Sequence, residues 1–106
     1  MKKILPLELK KLMDSDNNDY QLIDIRDEYE YDICCIGGEK INMYSLIDNL
    51  DKLSKDKKVI IYCRTGSRSA NIVNLLDKSY SYQNVYNLEG GIMKWRDDID
   101  PTIKEY

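Results

Sequence analysis

The chain has no histidine among its 106 residues. Without imidazole it lacks the usual activating partner of a nucleophilic cysteine, the commonest metal ligand and the ordinary general base of a hydrolase. Phenylalanine is also absent, and nine tyrosines stand in its place, suited to core edges where an apolar ring meets a polar rim. Cysteine is scarce. Cys34, Cys35 and Cys63 are too few for a disulfide framework and lack the paired spacing of a zinc site, so free thiols in a reducing compartment are expected, with no metal and no cofactor. No apolar run is long enough to cross a bilayer. The start Met1-Lys2-Lys3-Ile4-Leu5-Pro6 has the beginnings of a signal peptide, but Glu8, Lys10 and Lys11 interrupt it, which points to a cytoplasmic protein. Charged residues make up 33% of the chain, yet the net charge is only −3 and no block of one sign occurs. That excludes the basic footprint of a nucleic-acid or anionic-membrane binder and leaves small molecules or proteins as partners.

A chain of this length closes around one hydrophobic core, and one domain over residues 1–106 is expected. Strand and helix signals alternate without internal repeat or linker, the pattern of an α/β domain with a mostly parallel sheet. Leu5, Leu9, Leu12 and Met13 share a helical face after Pro6, and the polar cluster at 14–19 ends that pattern. Residues 21–25 read as a buried strand that delivers Asp24 and Arg26 to its carboxyl end, and residues 41–43 as a short strand. Ser45 reads as the N-cap of a helix using Leu46, Ile47, Leu50 and Leu53. Residues 59–62 form the clearest strand. A helix begins at Ser67 or Arg68, turns Ala70, Ile72, Val73 and Leu76 inward and runs to about Lys78. Residues 84–88 are the last strand, and Gly90-Gly91 leads into a short helix anchored by Trp95.

The richest stretch is Val59-Ile60-Ile61-Tyr62-Cys63-Arg64-Thr65-Gly66-Ser67-Arg68-Ser69-Ala70. A strand ends on a cysteine and passes through a small cationic loop into a helix. Cysteine reacts as its thiolate, which is favoured by amide hydrogens at a helix N-terminus and by nearby guanidinium groups. Gly66 lets the loop turn tightly enough for successive amides to face inward as an anion cradle. Arg64 and Arg68 supply charge, and Thr65 and Ser67 supply hydroxyl donors. Ligands of open α/β sheets sit beyond the carboxyl ends of the strands, where Cys63 and the Asp24–Arg26 segment both emerge.

This loop resembles the active-site loop of rhodanese-like sulfurtransferases, which often reads Cys-Arg-x-Gly-x-Arg-Ser. Leu22-Ile23-Asp24-Ile25-Arg26 with Glu28-Tyr29 is similar to a second segment of that family, and Asn84-Val85-Tyr86-Asn87-Leu88-Glu89-Gly90-Gly91-Ile92 with Trp95 to its closing segment. The resemblance implies a three-layer α/β domain, a mostly parallel sheet of about five strands flanked by helices. It also implies an enzyme that carries sulfane sulfur as a persulfide on Cys63. The donor would be thiosulfate or a similar anion, and the acceptor cyanide, a thiol or a sulfur-carrier protein. Arg64, Thr65, Gly66, Ser67, Arg68 and Ser69 would form the persulfide cradle, with Asp24 and Arg26 in support. The family's common His-Ile-Pro-Gly-Ala stretch stands here as Cys35-Ile36-Gly37-Gly38-Glu39, similar to rhodanese domains joined to adenylating enzymes that activate sulfur carriers.

Two rival readings use the same residues. A cysteine-dependent phosphatase or arsenate-type enzyme needs five residues between cysteine and arginine, whereas four separate Cys63 from Arg68; the shorter loop encloses a smaller anion. A non-catalytic regulatory or binding module would keep the fold without the reaction, against which stand the intact cysteine and both arginines. The adjacent Cys34 and Cys35 are read as small side chains filling a turn, with a second thiol in the relay as the alternative.

Overall fold

The computed structural model describes residues 1–15 and 19–106. Five strands pair in parallel: β1 (Lys2–Ile4), β2 (Tyr20–Asp24), β3 (Glu39–Lys40), β4 (Lys58–Tyr62) and β5 (Val85–Leu88), in the order β1-β5-β4-β2-β3. The helices are α1 (Pro6–Asp14), α2 (Glu28–Ile33), α3 (Met43–Leu46), α4 (Ser67–Tyr80) and α5 (Gly91–Asp98), with a 3₁₀ segment Ile47–Lys52 after α3. Because successive side chains of a strand point to opposite faces, β4 feeds two cores at once. Val59, Ile61 and Cys63 pack with Ile23, Ile72, Val73 and Leu76 on the α4 side. Ile60 and Tyr62 pack with Leu9, Leu88, Ile92 and Trp95 on the side of α1 and α5. A strand covered on both faces reads as a continuous apolar run, which is why residues 59–62 are the clearest strand in the sequence.

The α/β class, the parallel sheet of five strands and the order of the later elements agree with the expectations above. Several local expectations do not. The short strand near residue 41 lies two residues earlier, as β3, and the helix that follows is capped by Asn42 rather than Ser45. The Asn42 side chain accepts the Tyr44 N–H at 2.9 Å, which satisfies an amide at the helix start and pulls the chain out of extended conformation at that point. The helix expected to run through Leu50 and Leu53 is only α3, one turn long, before the 3₁₀ segment takes over. Leu5 is the N-cap of α1 and 47% exposed, so it does not share the buried face with Leu9. The α1 pattern ends at Asp14, while residues 16–18 of the polar cluster lie outside the described residues. β1 and α2 carry too little periodicity to be read from the sequence. At the far end of α4, Ser81 takes the left-handed position (φ 59°) where glycine is usual. The Tyr82 N–H then bonds the Leu76 carbonyl at 3.0 Å and the Tyr82 side chain is buried.

Trp95 sits in the apolar layer between α5 and the sheet at 4% exposure. Trp95→Ala is expected to lower unfolding free energy by about 3–5 kcal/mol, the cost of emptying an aromatic core site. Leu75→Ala, at a half-exposed α4 position, is expected to cost less than about 1 kcal/mol. Urea unfolding of both variants measures the difference.

Candidate active site

Residues 63–66 join β4 to the first turn of α4 at the carboxyl end of the sheet, and the geometry there follows from where the carbonyls go. The Cys63 carbonyl accepts the Ile92 N–H at 2.9 Å, and the Arg64 carbonyl accepts the Met93 N–H at 3.0 Å. These are first-turn amides of α5, which otherwise lack helical partners. Gly91 makes the approach possible. A Cβ there would lie 2.5 Å from the Arg64 carbonyl oxygen and 2.6 Å from that of Cys63. With two carbonyls drawn toward α5, Gly66 turns at φ 96° and the loop amides face the sulfur. Cys63 Sγ accepts from Gly66 N–H at 3.1 Å and from Ser69 N–H at 3.4 Å, and lies 3.3 Å from Ser69 Oγ. The buried Ser69 hydroxyl also bonds Asn87 Oδ1, and Asn87 Nδ2 donates to the Gly66 carbonyl at 3.3 Å. Asn87 thus ties β5 to both cradle residues. Cys63 itself is fully buried.

Beside the cradle runs a chain of charges. Asp24, Arg26 and Glu30 are buried. Asp24 accepts from Arg26 Nε at 3.0 Å and Nη2 at 2.8 Å, and Arg26 also donates to the carbonyls of Cys34 and Glu30 and to Tyr106 Oη. Burial opposes the Arg26 charge, but the hydrogen bonds to Asp24 and Tyr106 overcome it and hold its pKa above the ordinary value. Glu30 receives both ends of the Arg68 fork at 2.8 Å, the Tyr106 hydroxyl at 2.8 Å and the Asp27 N–H at 2.9 Å. The Arg68 bonds, working against desolvation, bring the Glu30 carboxyl down to about 2. The same pairing raises Arg68, with a smaller pull from Cys63. Arg68 therefore anchors the start of α4 to α2, and its charge is offset by a carboxylate before it reaches the sulfur. Arg64 is exposed at the rim, its guanidinium 4.9 Å from the Tyr106 ring centre.

Of the residues singled out from the sequence, the structure brings Cys63, Gly66 and Ser69 into direct contact, with Arg64 and Arg68 at the edge. Thr65 and Ser67 are exposed on the loop. Asp24 and Arg26 reach the loop at second hand, through Tyr106, Glu30 and Arg68. Cys34 and Cys35 belong to the opposite face of the sheet. Cys34 packs with the α1/α5 core, and Cys35 Sγ lies 3.8 Å from the Tyr62 hydroxyl. Glu30, Asn87 and Tyr106 were not singled out. The capping-box spacing of Asp27 and Glu30 and the polar Asn87 inside an apolar strand are local signals that do not indicate their partners, and nothing local marks Tyr106.

The site is thus a strand-ending cysteine whose sulfur receives two amides at the start of a helix. The chain belongs to the Rhodanese-like domain family, which matches residues 5–98. It is 33% identical over 102 residues to a Bacillus subtilis protein named as a sulfurtransferase, YtwF, covering 95% of this chain and 96% of that one. It is 36% identical over 106 residues to a Mycobacterium tuberculosis protein named as an adenylyltransferase/sulfurtransferase, MoeZ, covering 97% of this chain but only 26% of that protein. The crystal structure of a rhodanese-like domain protein from Staphylococcus aureus superposes with a TM-score of 0.77 at 33% identity, covering 93% of this chain and 95% of that one.

The Glu30 carboxyl, lowered from 4.5 to about 2 on folding, gives the charge chain a pH signature. A depressed carboxyl contributes its full stabilisation above the unfolded pKa and loses it as pH falls through the folded one. Glu30→Gln is expected to be less stable than the parent by on the order of 2–3 kcal/mol at pH 7. The gap should close between about pH 5 and pH 2. Urea midpoints across that range test it, and a gap independent of pH would assign the loss to packing instead.

Proposed function

We propose that the chain is a sulfurtransferase that carries sulfane sulfur on Cys63, taking it from thiosulfate or a similar anion. The observation that carries this reading is the pair of amides, Gly66 and Ser69, aimed at Cys63 Sγ at 3.1 and 3.4 Å. The Cys63 thiolate attacks the outer sulfur of thiosulfate. A new S–S bond forms, the old one breaks, and sulfite leaves with its electron pair. The persulfide anion then rests against donors fixed before the charge arrives, so little reorganisation is needed. An acceptor nucleophile, either cyanide, a small thiol or a protein thiolate such as a sulfur carrier, attacks the terminal sulfur and returns the Cys63 thiolate. The first product departs before the acceptor enters, so ping-pong kinetics follow. Arg64, exposed and cationic, draws the anionic donor to the rim. A reducing compartment, the cytoplasm, suits a chain whose three cysteines are free.

The phosphatase reading is disfavoured by Arg68. In such an enzyme the arginine after the loop must fork onto the phosphoryl oxygens, whereas here both guanidinium arms lie 2.8 Å from Glu30. The non-catalytic reading makes a plain counter-prediction. Incubation with thiosulfate and no acceptor is expected to add the mass of one sulfur atom to the Cys63 peptide, and cyanide should remove it as thiocyanate. No adduct on a folded chain would favour the inactive module. Cys63→Ser should abolish transfer. Arg64→Ala should weaken thiosulfate capture at low salt, an effect that salt screens away.

The vicinal thiols supply a separate test. Cys63 packs in the core on the α4 side, whereas Cys34 packs with the α1/α5 core and Cys35 Sγ lies 3.8 Å from the Tyr62 hydroxyl. In the double variant Cys34→Ser, Cys35→Ser, thiosulfate-to-cyanide turnover and persulfide lifetime should stay within about twofold of the parent, a barrier change of about 0.4 kcal/mol. A persulfide that lives much longer in the double variant would bring a second thiol into the mechanism.

A further inference from the structure

Residue 106 lies beyond the span 5–98 that matches the family, yet its side chain is built into the rim of the active site. After α5 the chain folds back over the α1/α5 core. The Ile103 N–H bonds the Asp100 carbonyl at 3.1 Å, Arg96 Nε donates to the Ile103 carbonyl at 2.9 Å, and Ile99, Ile103 and Tyr106 pack against buried side chains. Tyr106 ends this path with its hydroxyl between two buried charges, donating to Glu30 Oε1 at 2.8 Å and accepting from Arg26 Nη1 at 2.9 Å. Burial pushes its phenol up to about 12, so it remains a neutral donor. Its ring faces the Arg64 guanidinium at 4.9 Å.

We propose that Tyr106 is a positioning residue for anion capture: its ring holds the Arg64 guanidinium at the rim, and its hydroxyl, pinned between Arg26 and Glu30, keeps the ring in place. A long exposed arginine otherwise spreads its charge over many rotamers, and ordering it costs entropy. An aromatic face attracts the guanidinium and narrows that spread. Phenylalanine would give the face without the anchor, and leucine gives neither. The inference rests on the reading of Arg64 as the capturing cation and does not depend on what Cys63 carries.

The test compares two alkylating reagents of similar size, anionic iodoacetate and neutral iodoacetamide. Their rates at Cys63 are read from peptide masses, with the exposed Cys35 on the other sheet face as internal reference. Both reagents must reach the same buried sulfur, so access cancels in the ratio and the local positive potential remains. Tyr106→Leu is expected to lower the Cys63 iodoacetate-to-iodoacetamide ratio by about two- to threefold at low ionic strength, the size an exposed cation–π contact commands. Roughly 0.5 M salt should bring the parent down to the variant. Tyr106→Phe, which keeps the ring and loses its anchor, should fall between the parent and the leucine variant, and in an Arg64→Gln background Tyr106→Leu should change the ratio no further. Thermal unfolding checks that each variant folds, and Tyr106→Met replaces Tyr106→Leu if the latter does not. A parental ratio in the leucine variant, a phenylalanine variant at the parental ratio, or an undiminished effect without Arg64 overturns the proposal. Expected ratios in a chain that takes no sulfur from thiosulfate would uphold Tyr106 and sink the proposed function instead.

Discussion

Everything at the site depends on two carbonyls being turned away from the sulfur. The Cys63 and Arg64 carbonyls are negative ends of peptide dipoles, and inside the cradle they would repel a thiolate. They are held instead by the Ile92 and Met93 amides of α5. That contact requires backbone against backbone, which only a glycine at 91 permits, since a Cβ would come within 2.6 Å of both oxygens. A loop that gives up its acceptors on one side presents its donors on the other. The inward aim of the Gly66 and Ser69 amides is thus a consequence of how the last helix packs, and the surroundings of the Cys63 sulfur are shaped by residues almost thirty positions away in the chain.

The arginines divide their labour in a way that charge counting alone would miss. Arg68 lies at the start of α4, where its charge adds to an already positive helix terminus. Left unpaired it would strain the terminus, and the buried Glu30 resolves the conflict by accepting both arms of the fork. Glu30 is held ionised by four donors, so it is a fixed counter-charge and not a proton carrier. Glu30 is buried while the Arg68 side chain is 31% exposed, and stripping a buried charge of its partner costs heavily even where the pair adds little net stability over apolar packing. Its use here is geometric, because the pair locks α4 to α2 and so fixes the direction from which the Ser69 amide meets the sulfur.

How much of this was legible in the sequence varies with the range of the interaction. The loop residues were readable because cysteine, glycine and two arginines crowd into six positions, a density that packing does not require. β4 and β5 were readable because they are covered on both faces. β3 was misplaced since its two residues, Glu39 and Lys40, are exposed and polar, and it is a strand only because β2 offers an edge. Ser45 competed with Asn42 for the cap, and both types cap well; the Asn42 amide gains a further bond to Asp27 Oδ1 at 3.0 Å, a contact across fifteen residues that no local pattern contains. Glu30, Asn87 and Tyr106 belong to the same class. Each is ordinary where it stands and takes its role from a partner brought up by the fold.

The cradle also bears on what kind of anion can rest in it. Two amides and one hydroxyl converge on a single sulfur atom, and the hydroxyl is itself committed to Asn87. A tetrahedral oxyanion spreads its charge over several oxygens and needs donors arrayed around it, with a guanidinium fork completing the ring. Here the fork is spent on Glu30. The proposed persulfide would concentrate its charge on one terminal atom, for which short-range dipoles beside it would suffice. Under the proposed function, the long-range attraction for a dianion such as thiosulfate would fall to Arg64, exposed at the rim and apart from the donors that meet the sulfur.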